Sequence, residues 1–396
     1  MKVLQLCHKP PFPSIDGGCI AINTLSQGLL ANDIDLKILT ASTEKHPFKP
    51  DEIPEDFKEK TDIEAVFLDT RVNIIDAFSA LVTSDSYNVN RFFSTDFDRR
   101  LIEILRRTKY DIIHLESLFM TPYIDTIRKL SKARIILRSH NLEHLIWERL
   151  ANSTGNTAKR MYLKHLASKL KKYEMKTINE VDGIAAISYE DTKRFKDFKC
   201  KVPIVTIPFG IDLKQYDFVQ SKADKLNKLF HIGAMNWEPN KEGINWFVDE
   251  ILPLIKDEDV SMHLAGRAMP GYLKELNSTQ LVVHGEVDNA KTFMQDHDIM
   301  IVPLLSGSGI RIKIIEAMAC GKAVISTSVG AEGIACTNGE DIIIADTAKQ
   351  IAAAVKDLSG NAEKVRSLGK NARKLIENHY DNDQIILKLI DFYQEK

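Results

Sequence analysis

Short, nearly unbroken apolar runs alternate along this chain with longer stretches in which apolar residues recur every three or four positions. Runs such as VLQLC and DIIHL have the length of a strand, and a strand reads as continuous apolar sequence when helices cover both faces of its sheet. The alternation therefore predicts βαβ units and an α/β fold with parallel strands. Strands are expected at 3–7, 36–41, 64–68, 111–115, 134–138 and 183–187 in the first half. In the second half they are expected at 204–207, 228–232, 261–265, 281–284, 300–303, 323–326 and 342–344. Long helical patterns run over 157–179, 242–255 and 363–378.

A chain of 396 residues suits two cores better than one. The segment Pro208-Phe209-Gly210-Ile211-Asp212, followed by a polar stretch at 220–228, marks the break. It predicts two α/β domains, 1–205 and 206–380, and a last helix in 381–396. A net charge of −2 gives no general reason to expect nucleic acid as a partner. Five cysteines without a Cys-x-x-Cys pair fit a reducing compartment and argue against a disulfide frame or a zinc ribbon. The start, MKVLQLCHKPPFP, has too short an apolar stretch for a signal peptide, and no apolar run approaches bilayer length. A cytoplasmic location follows as an expectation, with contact at the inner face of the membrane left open. The basic cluster Lys159, Arg160, Lys164, Lys169, Lys171 and Lys172 reads as a solvated helix face before it reads as a lipid-binding one.

Candidate chemistry concentrates in 303–333, PLLSGSGIRIKIIEAMACGKAVISTSVGAEG. A buried strand runs into a Gly-Ser-Gly turn that opens a helix, which ends at Gly321 before another strand. Glycines let backbone N–H groups approach a ligand, and a helix start adds unpaired donors and partial positive charge. Together they make an anion site, phosphate before others. With the helix beginning near Gly309, the residues Gly309, Lys313 and Glu316 share one face. Arg311 falls in the first turn, where a cation opposes the helix dipole unless an anion binds. Glu316 then sits about 10 Å up the axis, roughly the span from a diphosphate to ribose hydroxyls. The reading is a nucleoside diphosphate held by Arg311, Lys313 and the turn, with Glu316 accepting from the ribose. The competing reading is a surface helix with a Lys313–Glu316 ion pair worth a few tenths of a kcal/mol.

Residues 308–321 resemble the nucleotide-sugar site of GT-B-fold retaining glycosyltransferases of family four. The pattern there is Glu, seven residues, Glu, then Ala-Met-Ala-x-Gly. Glu316-Ala317-Met318-Ala319-Cys320-Gly321 matches its second half, while Ser308 stands where the first glutamate contacts the transferred sugar. The Gly-Ser-Gly-x-Arg-x-Lys form is similar to bacterial sugar transferases of cell-surface polysaccharide assembly. The resemblance implies two Rossmann-like domains facing across a cleft, joined at 208–212, with the final helix crossing back to the first domain. It also implies that Gly17 and Gly18, at the carboxyl end of the first strand, face the leaving diphosphate, a place the topology of α/β sheets favours. Arg267 and Lys241 would be further phosphate cations, Met235 standing where the family has arginine. Gly285, Glu286 and Val287 would contact the base, with Glu316 on the ribose. Ser306, Gly307 and Ser308 would line the donor sugar. His140 would hydrogen-bond that sugar near the reacting carbon and, with Glu316, be catalytic.

His140-Asn141-Leu142-Glu143-His144 also matches the inverted zinc-peptidase signature, which needs both histidines on one helix. A strand at 134–138 puts His140 on the turn instead, so no metal is expected there and none between the phosphates, where side-chain cations serve. No cofactor is expected. The expected function is transfer of a hexose-type sugar from a nucleoside diphosphate sugar to an acceptor hydroxyl with retention, in cell-surface polysaccharide or glycolipid assembly. The acceptor would be a glycan or a lipid-linked glycan, met within 42–95. A sugar-nucleotide epimerase and a non-catalytic nucleotide-sugar-binding subunit are the alternatives, the second because of Ser308.

Overall fold

A computed structural model of the protein describes residues 1–70, 87–220, 222–307 and 310–395. Ser308 and Gly309 lie outside the described residues, as does part of the expected acceptor region. The chain forms two compact units, Met1–Gly210 with Asn382–Lys396, and Ile211–Asp381.

The first unit is built on seven parallel strands: β1 (Lys2–Cys7), β2 (Asp35–Ser42), β3 (Glu64–Phe67), β4 (Ile112–Glu116), β5 (Arg134–Ser139), β6 (Gly183–Ala186) and β7 (Ile204–Thr206). Their order is β3-β2-β1-β4-β5-β6-β7. This is the doubly wound order, which reverses between β1 and β4. Strand β7, read from sequence with the second half, is instead the outer strand of this sheet, hydrogen-bonded to β6. The side chains of Val3, Leu4, Leu6, Ile113 and Leu115 are wholly buried, as strands covered on both faces require.

The last helix, Asn382–Gln394, belongs to this unit and packs on the helix Gly17–Ala31. Ile386, Leu389 and Phe392 enter the core beside Ile22, Leu25 and Leu29. Each such side chain contributes about 1.5–3 kcal/mol on burial. Gly28 makes the close approach, since a Cβ there would lie 2.4 Å from Ile386.

The second unit carries six parallel strands: β8 (Lys228–Ile232), β9 (Ser261–Ala265), β10 (Leu281–Gly285), β11 (Ile299–Val302), β12 (Ala323–Ser326) and β13 (Ile343–Ile344). The order is β10-β9-β8-β11-β12-β13, with the reversal between β8 and β11. The helix expected at 242–255 begins earlier and is irregular. It runs as α-helix over Glu238–Trp246, as π-helix over Phe247–Ile251 and as a 3-10 turn over Leu252–Ile255. Pro253 has no N–H to continue the α ladder, which accounts for the tightened end.

Candidate active site

Ligands of open α/β sheets bind outside the carboxyl ends of strands where the strand order reverses. In the second unit that place is the end of β8 and β11. His231, wholly buried on β8, donates from Nδ1 to the Ile301 carbonyl on β11 at 2.8 Å. Its Nε2 therefore carries the lone pair and accepts from the Lys313 ammonium at 3.1 Å. Lys313 also donates to Asn240 Oδ1 at 2.8 Å, and Asn240 Nδ2 donates to the Ala234 carbonyl. Both acceptors of Lys313 are neutral, so its charge stays uncompensated in these bonds. Burial, and then the neighbouring Arg311, push its pKa down to about 7. Gly233 makes the room, because a Cβ would meet Asn240 at 2.6 Å and Lys313 Nζ at 3.1 Å.

Arg311 is 5% exposed, with its guanidinium 5.2 Å from the centroid of the Trp237 ring. Burial lowers its pKa, against the opposing charge of Glu332. Gly307 has φ +111 and passes so close that a Cβ would lie 2.9 Å from Arg311 and 3.2 Å from Trp237. Two cations, an aromatic face and a helix start thus converge where an anion is most stabilised.

The helix over Ile312–Ala319 starts three residues later than the sequence suggested, with Arg311 at its N-cap. The non-helical backbone at Arg311 (φ −86, ψ 89) sets that start. Glu316 consequently lies only about 6 Å along the axis from the helix start. It does not pair with Lys313. Its Oε1 accepts from the Tyr216 hydroxyl at 2.8 Å, and burial raises its pKa while that bond opposes the rise. Lys241 pairs with Glu238 at 3.5 Å on the same helix. Its neighbour Asn240 is the residue that meets Lys313. Arg267 is exposed, and its carbonyl accepts from Met235 N–H. Ser306 donates to Glu242 at 2.6 Å. Gly285 ends β10 with φ +75, Glu286 is exposed and Val287 is half-buried.

In the first unit the reversal between β1 and β4 holds a buried anion. Glu116, at the end of β4, accepts from Gln5 at 2.9 Å and His140 at 2.7 Å, with His114 Nε2 at 3.2 Å and Arg138 Nε at 3.9 Å beside it. Burial alone would raise its pKa, but Arg138, His114 and His140 outweigh burial and hold the carboxyl well below its ordinary range. Only an N–H satisfies a carboxylate, so His140 donates from Nε2 and keeps its lone pair on Nδ1. Burial lowers the His140 pKa, partly countered by Glu116. His114 Nδ1 in turn accepts from Tyr393 of the last helix at 2.6 Å. His8 donates from Nδ1 to the Glu116 carbonyl at 2.8 Å, its ring 5.9 Å from that of His140.

His140 lies on the loop between β5 and the helix Glu143–Ser153, whereas His144 on that helix bonds Glu174 at 2.5 Å. The two histidines serve different carboxylates and do not converge. Gly17 and Gly18 open the helix Gly17–Ala31, capped by Asp16, which accepts from Cys19 N–H at 2.9 Å. Lys9 bonds Asp16 at 2.8 Å and lies over this start, 2.3 Å from where a Gly18 Cβ would be. Glu116, His8, Lys9, His231, Asn240 and Tyr216 were not singled out from sequence. The one available signal was the polar pair in DIIHLE, charged residues inside a buried strand.

A family model described as Glycosyltransferase Family 4 matches residues 15–215, and one described as Glycosyl transferases group 1 matches residues 227–361. The chain is 28% identical over 302 residues to an uncharacterized 44.6 kDa protein in the cps region of Klebsiella pneumoniae, covering 72% of this chain and 75% of that protein. Its fold is similar to sucrose-phosphate synthase from Thermosynechococcus elongatus, with TM-score 0.70 and 17% identity over 100% of this chain and 98% of that one. It is also similar to Anabaena HepE in complex with UDP, with TM-score 0.65 and 13% identity over 99% of each chain. At these identities the likeness shows the fold alone, which is GT-B.

Proposed function

The chain belongs to Glycosyltransferase Family 4, and we propose that it moves a hexose-type sugar from a nucleoside diphosphate sugar to an acceptor hydroxyl with retention of configuration. The observation that carries this reading is Lys313, an ammonium held by two neutral acceptors at a helix start beside Arg311. A diphosphate supplies the negative charge that the two acceptors of Lys313 lack. In the reaction the bond from the anomeric carbon to the phosphate oxygen breaks and the bond to the acceptor oxygen forms on the same face. The acceptor proton passes to the departing phosphate. Charge grows on the diphosphate in that step, so Lys313, Arg311 and the helix N–H groups act most strongly in the transition state. These cations fill the role a bridging metal would otherwise have.

In the same reading Gly17 and Gly18 approach the diphosphate, Glu316 accepts from the ribose, and 285–287 meet the base. His140, held in one tautomer by Glu116, offers its Nδ1 lone pair to a hydroxyl of the sugar. The UDP bound by the Anabaena neighbour supports a nucleotide donor, and the cps region of the Klebsiella relative is the reason to try polysaccharide and lipid-linked glycan acceptors first. Among the described residues no helix is long and apolar enough to cross a membrane.

Thermal shift with UDP-, GDP-, dTDP- and ADP-sugars tests the donor site. One nucleotide class should raise the melting temperature, and Arg311→Ala should abolish the rise. A rise unchanged in that variant refutes the proposed clamp. NMR of the product anomer tests retention. Ser308 at the family's glutamate position favours one second reading, a nucleotide-sugar-binding subunit. Binding without turnover across an acceptor panel would establish it, and interconverted sugar nucleotide without acceptor would instead mark an epimerase.

A further inference from the structure

Three histidines of the second unit, none of them in the site above, meet at the side of its sheet. His263 is in the middle of β9, His284 is the next-to-last residue of β10, and His297 lies between the helix Ala290–Gln295 and β11. One ring nitrogen from each lies within 4.8 Å of the other two. His263 Nδ1 and His284 Nε2 are 2.9 Å apart, and the His263 and His297 rings are 4.4 Å apart between centroids at 62°. We propose that His263, His284 and His297 form a binding site for a borderline divalent transition metal, zinc(II) in the first instance, with a fourth position open to water.

The spacing fits. In a tetrahedral zinc site with Zn–N of about 2.0–2.1 Å, the ligand nitrogens lie about 3.3 Å apart. The distances here, from 2.9 to at most 4.8 Å, bracket that value and need only side-chain rotation to reach it. The far nitrogens are already oriented. His297 donates from Nδ1 to the Phe293 carbonyl at 2.6 Å, so its Nε2 carries the lone pair. His263 Nε2 is held by the Ser261 hydroxyl at 2.9 Å. Metal-bound histidines are oriented in this way by a partner on the other ring nitrogen. A hydrogen bond between two rings accounts for His263 and His284 but gives the lone pair of His297 no proton. A cation satisfies all three.

The backbone also takes part. The β9–β10 register passes from Val283 opposite Leu264 to Gly285 opposite Ala265, so His284 is the extra residue of a bulge. A bulge re-aims a side chain at the cost of a ladder position. An all-imidazole set does not suit magnesium or calcium, which take oxygen ligands, but does suit zinc, copper or nickel. Contrast the group Asp16, Cys19 and His46 in the first unit, equally close together. There the Lys9 ammonium bonds both Asp16 oxygens, at 2.8 and 2.9 Å, and already fills the place of a cation.

The test uses the untagged full chain, stripped with chelator, and zinc(II) itself as the probe. Isothermal titration should give one zinc per chain. His284 is exposed, so His284→Ala should keep the wild-type circular dichroism while weakening zinc binding at least about tenfold, the size seen for loss of even an outer-shell partner. His165→Ala, an exposed histidine elsewhere, should leave the affinity unchanged. Cobalt(II) should give the visible absorbance of a tetrahedral site in the wild type and lose it in His284→Ala. Equal zinc affinity in the wild type and His284→Ala, or no uptake in equilibrium dialysis against excess zinc, overturns the proposal. Neither readout depends on sugar transfer, so failure here leaves the proposed function standing.

Discussion

Lys313 makes stability depend on pH in a direction opposite to that of an ion-paired lysine. Its pKa falls from the ordinary 10.5 to about 7, first through burial and then through Arg311. The folded chain thus holds the Lys313 proton more weakly than the unfolded chain does. Below about pH 7 both states hold it and the burial cost stands in full. Between about pH 7 and 10.5 the unfolded chain still holds the proton while the folded chain releases it, so raising pH favours folding. The gap corresponds to at most about 5 kcal/mol at about 1.4 kcal/mol per pH unit. The side chain is only half-buried, and screening reduces the figure to about 2 kcal/mol. Urea denaturation of wild type and Lys313→Met at pH 7, 8 and 9 measures it, the variant cancelling every other titration. Wild-type stability relative to the variant should climb with pH, by at most about 2 kcal/mol across that range. A difference that stays constant refutes the uncompensated ammonium, and with it the reason to expect an anion there. A bound diphosphate restores the proton, so nucleotide affinity should fall as pH rises above 7 in the wild type, by at most about tenfold per pH unit, and stay flat in Lys313→Met.

Glu116→Gln keeps the shape of the buried hub but removes its charge and turns one acceptor oxygen into an NH2 group facing either Gln5 at Oε1 or His140 at Oε2. It should cost about 3 kcal/mol in urea denaturation at neutral pH, as loss of one partner from a buried ionic cluster does, and a loss under 1 kcal/mol would show the hub is not ionised. Leu389→Ala removes a wholly buried side chain of the last helix. It should destabilise the first unit by about 2–5 kcal/mol, read in the same assay.

The strands were legible because parallel strands covered on both faces leave unbroken apolar runs, and β8, β9 and β12 begin and end where the sequence placed them. Strand β7 was assigned to the wrong half because nothing in IVTI says which neighbour it joins. Only its ladder to β6 decides that. The helix start at Ile312 was misread because glycine and serine at 307–309 look like a cap, whereas the backbone at Arg311 sets the boundary. Motif spacing found Lys313 but not Asn240 or His231, which reach it from 73 and 82 positions away. Such pairings follow from strand order, and a sequence states strand order only indirectly.

The partners missed in this way decide what each unit can bind. At its strand reversal the first unit gathers histidines, Gln5 and Arg138 around a carboxylate, held ionised. At the equivalent reversal the second unit sets a histidine and an amide around an ammonium. An anionic ligand entering near Glu116 meets a like charge whose neighbours already satisfy it. Entering near Lys313, it meets a cation whose acceptors are neutral and whose proton it strengthens. Coulomb interactions of this kind are several-fold stronger in a partly buried site than in water. The same topology therefore carries a compensated carboxylate at one reversal and an ammonium with neutral acceptors at the other. The difference rests on side chains at the ends of β4 and β8 rather than on the fold.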